Sequence, residues 1–301
     1  MKNPTAILCS DFHIRDSTPE CRTDDFMEAQ RLKFAFLKNL QIKHNIPILV
    51  AGDLFHHWKP SPWLLGWCFD NLPDKMIVIP GQHDLSAHNL DNISKAGIYV
   101  LAAAGKIILL TGDNSETDIS QILYQGFPWC VELKDIERGF GEYAAVALIH
   151  KLVYQGKPPF PGAENYGGTG KALIKQMPGF DLLLTGDNHQ TFVERFGETI
   201  LVNAGSFTRQ SATQIDHKPC VFLWDAETNE VEQVFLPINK DVISRDHIEI
   251  QEERNERIEA FVSSLSKETE IVLFYEENMK KYLDANKISK DVQNIIWGIM
   301  E

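Results

Sequence analysis

Five apolar stretches of this sequence end in side chains able to bind metal ions. Asp11-Phe12-His13 follows "TAILCS", and Gly52-Asp53-Leu54-Phe55-His56 follows "IPILVA". Gly81-Gln82-His83-Asp84 follows "KMIVIP", His150 closes "YAAVALIH", and Gly186-Asp187-Asn188-His189 follows "DLLLT". Carboxylates, amides and neutral imidazoles suit Mn²⁺, Fe, Mg²⁺ or Zn²⁺. A histidine after a strand is by itself an ordinary loop residue. Five of the ten histidines at such positions, with Asp11, Asp53 and Asp187, point to one shared site. Taken alone, "GDNHQ" (186–190) leaves open a metal site, a damaged metal site and a plain loop, and matching ligands elsewhere in the chain decide between them.

The elements that must position these residues follow from hydrophobic spacing. Strands are predicted at 5–10, 46–52 and 75–81, and later at "KIILLT", "QILYQG", "YAAVALIH", "DLLLTG", "TFVERF", "TILVNAG", "CVFLWDA" and "EVEQVFLPI". Residues 24–45 have helical spacing, with Phe26, Leu32, Phe36, Leu37 and Leu40 on one face and Asp24 and Asp25 at the N-terminus. "SPWLLGWCFDNL" reads as a second helix with Pro62 near its start. Its apolar face of Trp63, Leu64, Trp67 and Cys68 reads as core ahead of an oligomer contact, and a homodimer remains compatible. Strands alternate with helices in the first half, and the second half is strand-rich. The fold class is α/β, a layered core whose sheets are covered by helices. Ligands of such sheets gather beyond the carboxyl ends of the strands. A catalytic domain over 1–240 is expected, followed at 241–301 by a small C-terminal helical or α+β element. Helical pieces there include "RNERIEAFVSSL" and "DVQNIIWGIM".

Bulk properties narrow the class. With 44% hydrophobic residues, the 301-residue chain can bury a large core. No apolar leader and no run of 18 apolar residues stands out, so neither a signal peptide nor a membrane span is expected. The five scattered cysteines form no C-x-x-C pair, which fits reduced thiols in a cytoplasm. The net charge of −13 argues against broad non-specific binding of nucleic acid. Residues 246–301 hold thirteen acidic and seven basic side chains, a net of −6, leaving −7 on the rest.

The order "SDFH", "GDLFH", "GQHD", "LIH" and "GDNH" resembles the D-x-H, G-D-x-x-H, G-N-H-D, lone His and G-H-x-H series of calcineurin-like metallophosphoesterases. "GDLFHHWKPS" is most similar to the SbcD-type DNA-repair exonuclease branch, and "LVNAGSFTRQS" resembles that branch's closing strand and turn. The resemblance spans roughly residues 5 to 235 and implies that the α/β core is a layered β-sandwich flanked by helices. It implies two divalent metals, Mn²⁺ foremost, about 3.5–4 Å apart. Asp11, His13, Asp53 and His189 would hold the first, and Asp53, Gln82, His150 and Asp187 the second, with Asp53 shared. It assigns His83 to protonation of the leaving oxygen and Asp84 to orienting that imidazole. His56 would help place the DNA strand, or support a metal ligand by a hydrogen bond.

Two positions depart from the series. Gln82 stands where Asn is expected and keeps the amide oxygen on a stem one methylene longer. Asp187 stands where His is expected, and a carboxylate hardens the site toward Mn²⁺ or Mg²⁺. Asn188 reads as the turn residue. "YGGTGKA" (166–172) fails as a phosphate loop, because Asn165 and Ala172 occupy the Gly and Ser/Thr positions. It closes a Gly- and Pro-rich loop that begins after His150. His44, His57, His88, His217 and His247 carry no motif. The function implied is metal-dependent phosphodiester hydrolysis, with DNA cut as by an exonuclease or short-range endonuclease in repair or recombination. A nucleotide or other small-molecule phosphoesterase is the alternative, and a binding protein with a weakly active metal site the third. The apolar faces of the C-terminal helices read first as packing back on their own core, while the SbcD resemblance implies that they dock an SbcC-type coiled-coil ATPase partner.

Overall fold

The computed structural model describes residues 3–111, 116–119, 121–137, 144–246, 248, 254–255, 257–259, 262 and 275–300. Among the described residues fourteen strands run in chain order: β1 (Ala6–Cys9), β2 (Ile48–Val50), β3 (Met76–Val78), β4 (Ile107–Leu109), β5 (Glu116–Ile119), β6 (Ile122–Phe127) and β7 (Ala144–His150) come first. They continue as β8 (Val153–Tyr154), β9 (Gly168–Thr169), β10 (Leu182–Gly186), β11 (Phe192–Phe196), β12 (Thr199–Asn203), β13 (Cys220–Asp225) and β14 (Glu230–Phe235). One six-stranded sheet has the order β14-β13-β1-β2-β3-β4, and the other β11-β12-β10-β7-β6-β5. Strands β1 to β4 are mutually parallel, as are β6, β7, β10 and β12, while β13, β14, β11 and β5 run antiparallel to their neighbours.

The inner faces of the two sheets bury one apolar layer, including Leu8, Leu49 and Ile77 from the first and Val146, Leu184 and Val202 from the second. Parallel strands covered on both faces read as continuous apolar runs, as "ILV", "MIV" and "LLLT" do. Helices α1 (Phe26–His44), α2 (Pro62–Asn71) and α3 (Gly97–Ala103) cover the outside of the first sheet, and α4 (Gly170–Gln176) the outside of the second. This is the helix-covered α/β core that the spacing predicts, closed as the sandwich that the resemblance implies.

Local sequence accounts for the helix boundaries. Asp25 caps α1 by accepting from the Glu28 amide, and Asn45 ends it in the left-handed region. Ser61 caps α2 and Pro62 occupies its first turn. The buried face of α1 differs from expectation. Phe34 and Lys33 face inward while Leu32 is 42% exposed, because Phe34 meets both Phe12 and Phe207 and sets the helix rotation. On α2, Leu64 and Cys68 are buried and Trp67 packs beside them, but Trp63 is exposed.

Chain contacts divide the molecule into Met1–Ser244 and Arg245–Glu301. The first unit extends to Ser244 because its amide donates to the Cys21 carbonyl and Ile243 bridges to Arg22. The second contains α5 (Tyr275–Ala285) and α6 (Lys290–Met300). Most of "EAFVSSL" lies outside the described residues. All five cysteines are free thiols, and no helix among the described residues is long and apolar enough to cross a membrane.

Candidate metal centre

The carboxyl ends of β1, β2 and β3 meet those of β7 and β10 along one rim. Backbone bonds fasten the loops together: Asp11 N–H donates to Gly52 O at 3.2 Å and His13 N–H to Asp53 O at 2.9 Å. Across the sandwich, the Asp187 amide donates to Asp11 Oδ1 at 3.0 Å and His150 Nδ1 to Ala51 O at 2.7 Å. Three glycines make room for His150. A Cβ on Gly52 would lie 2.0 Å from its Nδ1, one on Gly81 2.6 Å from its Nε2, and one on Gly186 2.9 Å from its Nδ1. A Cβ on Gly81 would meet Asp53 Oδ1 sooner still, at 2.1 Å, and one on Gly186 the Ala51 carbonyl at 2.0 Å, so close packing along the rim requires all three glycines. Asp11, His13, Asp53 and Asp187 all adopt positive φ, between 46° and 78°. Such backbone costs of order 1 kcal/mol or more per residue and clusters at functional sites. The Asp11–His13 turn is thus left-handed at both residues rather than extended, with Phe12 between them buried against Phe34 and Phe207.

Side chains converge as the loops do. Donor atoms lie within 4.8 Å of one another in each of three groups: Asp11, His13 and His189; Asp11, Asp53 and His150; and His13, His56 and His83. Asp53 Oδ2 lies 3.6 Å from His13 Nε2 and 3.5 Å from His150 Nε2, between the two sides of the site. His13 Nε2 and His189 Nε2 are 3.1 Å apart, and His189 Nε2 is 4.0 Å from Asp11 Oδ1. Asp11 Oδ2, His13 Nδ1 and Asp53 Oδ2 are buried without a hydrogen-bond partner. Buried carboxylate oxygens are costly unless paired or bound to a cation, so this donor set fits divalent metals.

Charge in the site is strongly coupled. Burial pushes the Asp53 carboxyl upward, but the nearby His150, with His13 and His83, pulls it below the usual carboxylate range. Burial opposes protonation of His150, yet Asp53, Asp11 and Asp187 raise it to about 10. Burial raises Asp11 and lowers His13 and His189. Ligation requires neutral His150, so a cation bound beside Asp53 and Asp11 would take the place of the proton that these carboxylates now stabilise on that imidazole.

The two departures from the motif series touch each other. Gln82 Nε2 donates to Asp187 Oδ1 at 2.6 Å, and Gln82 Oε1 is 2.6 Å from His150 Nε2. Among the described residues, Asp187 belongs to none of the three donor groups. Asn188 shapes its turn, donating to Val153 O and accepting from the Gln190 amide.

His83, Asp84 and His56 are arranged differently from the implied pairing. His83 Nδ1 meets the carbonyl of His56 at 2.9 Å, while its amide donates to Asp53 Oδ1. Asp84 accepts from the amides of Leu54, Phe55 and Gly81 at 3.0, 2.8 and 3.0 Å. It ends a single 3₁₀ turn, Gln82–Asp84, from which its carboxylate reaches back to cap Gly81. The orienting bond to His83 is therefore a backbone carbonyl, and Asp84 ties two ligand loops together. The His56 ring stacks on His83 with centroids 5.7 Å apart, and its Nε2 is 3.2 Å from Arg15 Nη1. Burial and the Arg15 charge lower His56 to about 4. Arg15 escaped the sequence reading, although its place two residues after His13 was a usable signal. His88, unassigned from sequence, has Nδ1 3.1 Å from Gln82 O. A cleft of about 1020 Å³ opens beside the centre, with Phe160, Asp187, His189, Thr213, His217 and Phe235 in its walls. The Gly- and Pro-rich loop reaches this cleft through Pro159 and Phe160.

Comparison with solved structures finds an archaeal phosphodiesterase at 13% identity, covering 77% of this chain and 99% of that one, with a TM-score of 0.41. A single-substitution variant of Vps29 from Entamoeba histolytica is 15% identical over 77% of this chain and 99% of its own, with a TM-score of 0.35. Vacuolar protein sorting 29 from Cryptosporidium parvum is 14% identical over 78% and 97%, with a TM-score of 0.33. No curated protein sequence matches. The family model for calcineurin-like phosphoesterases matches residues 4–191, which hold every one of the converging side chains. This chain belongs to the calcineurin-like phosphoesterase family.

Proposed function

We propose that the protein is a two-metal phosphodiesterase acting on DNA, of the SbcD exonuclease type. One observation carries the two-metal part: Asp53 Oδ2 sits about equally far from His13 Nε2 and His150 Nε2, at 3.6 and 3.5 Å, where one carboxylate can serve two ions. Asp11, His13, Asp53 and His189 would hold one ion. Asp53, Gln82 and His150 would hold the other, with Asp187 on the same rim. Bound there, the two ions supply Lewis acidity to the phosphoryl group and an activated water. The ligand oxygens and imidazoles make Mn²⁺ or Fe the best match, with Mg²⁺ and Zn²⁺ next.

The protein's own part is positional and acid–base. A carbonyl can only accept, so the proton shared with His56 O resides on His83 Nδ1. His83 Nε2 can then carry a second proton and deliver it to the leaving oxygen. The His56 ring, stacked on His83 and backed by Arg15, limits the orientations open to that imidazole. "GDLFHHWKPS" supports the DNA reading. The net charge of −13 favours the rival, a phosphodiesterase of nucleotides or other small molecules.

The test is hydrolysis of bis(p-nitrophenyl) phosphate against p-nitrophenyl phosphate with Mn²⁺, then of linear duplex and single-stranded DNA. The proposal expects diester over monoester and release of nucleotides from DNA, both abolished by Asp53→Asn. Monoester preference with intact DNA would overturn it in favour of the small-molecule reading.

A further inference from the structure

We infer that Asp187 is a positioning residue: it holds the Gln82 amide so that Oε1, not Nε2, faces the second metal position. The inference rests on the two-metal reading and refines one side of that centre. A glutamine has one more rotatable bond than the asparagine of the motif series, and its amide presents a donor at one end and an acceptor at the other. Only the oxygen can ligate a cation. An unrestrained Gln82 would spend part of its time with the wrong end forward.

The surroundings settle the orientation. A carboxylate only accepts, so Asp187 Oδ1 at 2.6 Å requires the NH₂ group on its side. Oε1 then faces His150 Nε2 at 2.6 Å. A flipped amide would set its oxygen against the Asp187 oxygen, lone pair to lone pair. Asp187 is itself fixed by the hydrogen bond its main-chain N–H donates to Asp11 Oδ1 and by its left-handed backbone, φ 78°. Its carboxylate is missing from the donor group that Asp11, Asp53 and His150 form. The Gln82 side chain occupies the place between His150 and Asp187, bonded to both. The two departures from the motif series are therefore one coupled change: a longer arm at 82, and an acceptor at 187 to aim it. Groups behind a metal ligand commonly alter affinity by about 10- to 100-fold when removed.

A double-mutant cycle read by metal binding tests this, because residues acting only through each other are non-additive. Full-length metal-stripped protein is titrated with Mn²⁺ by calorimetry, with stoichiometry checked by elemental analysis and folding by circular dichroism. Wild type is expected to bind two ions. Gln82→Ala and Asp187→Ala should each weaken the weaker ion by about tenfold or more. The double variant should bind no worse than Gln82→Ala alone. Asp187→Asn, whose oxygen still accepts from the amide, should stay within about threefold of wild type. Multiplicative losses in the double variant, or an Asp187→Ala loss that persists in full when Gln82 is already Ala, would show Asp187 ligating on its own. Those results overturn the inference while leaving two metals in place. Failure of wild type to bind a second Mn²⁺ would instead remove the two-metal reading and the inference with it.

Discussion

His83 Nδ1 lies 2.9 Å from the main-chain oxygen of His56, so the imidazole proposed to protonate the leaving group is oriented by backbone and by no carboxylate. The bond joins the loops after β2 and β3, and it survives replacement of the His56 side chain. His83→Ala should therefore bind Mn²⁺ with wild-type stoichiometry and lose about 10²–10⁴ in kcat on a diester with a poor leaving group. A nitrophenolate ester, whose leaving group needs little protonation, should be affected much less. Equal losses on both esters would argue against an acid role.

Asp84 has a structural task with a measurable consequence. Removing its carboxylate leaves three buried backbone amides without an acceptor. Each such loss costs about 1–3 kcal/mol, partly relieved by relaxation. Asp84→Ala should lower unfolding free energy by roughly 3–5 kcal/mol in urea titrations. Asp84→Asn should recover part of it. An Asp84→Asn protein of wild-type stability with a displaced pH–rate profile would instead support direct electrostatic coupling to His83.

Lys33 gives a prediction away from the centre. Burial, then the charges of Arg22 and Arg209, push its ammonium down to about 7, with Asp24 opposing. Its Nζ donates to Pro237 O at 2.7 Å, a bond the neutral amine retains. Between about 7 and the ordinary lysine value of 10.5, the unfolded chain holds a proton that the folded protein has released. Stability attributable to this group therefore rises with pH across that window and is flat below it. Urea unfolding of wild type from pH 7 to 9.5 should gain on the order of 2–4 kcal/mol relative to Lys33→Met. Parallel pH curves for the two proteins would contradict the shift.

Chain truncation addresses the ATPase partner that the resemblance implies. Met1–Ser244 forms its own compact unit, and every converging side chain of the centre belongs to it. A protein ending at Ser244 should fold and hydrolyse a small diester at near wild-type rate. If the last 57 residues dock an SbcC-type ATPase, as the resemblance implies, only processive DNA degradation should suffer. Collapse of diesterase activity with retained folding would count against that division of labour.

Much of this architecture was legible in the chain. Strands ending in "SDFH", "GDLFH" and "GDNH" were recognisable from apolar runs stopped by polar turns, and the family's ligand order lay on them. Less legible were relationships set by packing between distant segments. The rotation of α1 depends on Phe34 meeting Phe207, 173 positions later. Asp84 serves amides on the loop after β2, which adjacency to His83 in sequence disguised. Gln82 and Asp187 looked like two independent substitutions because 105 positions separate them. Lys33 was hidden because a lysine on a helix is ordinarily solvated, and its burial comes from loops after β12 and β14.

Because the rim draws Asp11 and Asp53 from one sheet and His150 and His189 from the other, ions bound there would act as a clasp between the sandwich halves. Each half then contributes donors that are mutually repelling or costly to bury until the clasp closes, so metal occupancy and folding become one linked equilibrium. Free Mn²⁺ at 100 times its dissociation constant would add about 2.7 kcal/mol per site. A chelator should consequently lower the melting temperature of the whole sandwich in a single transition, and Asp53→Asn should melt at the same temperature with or without it.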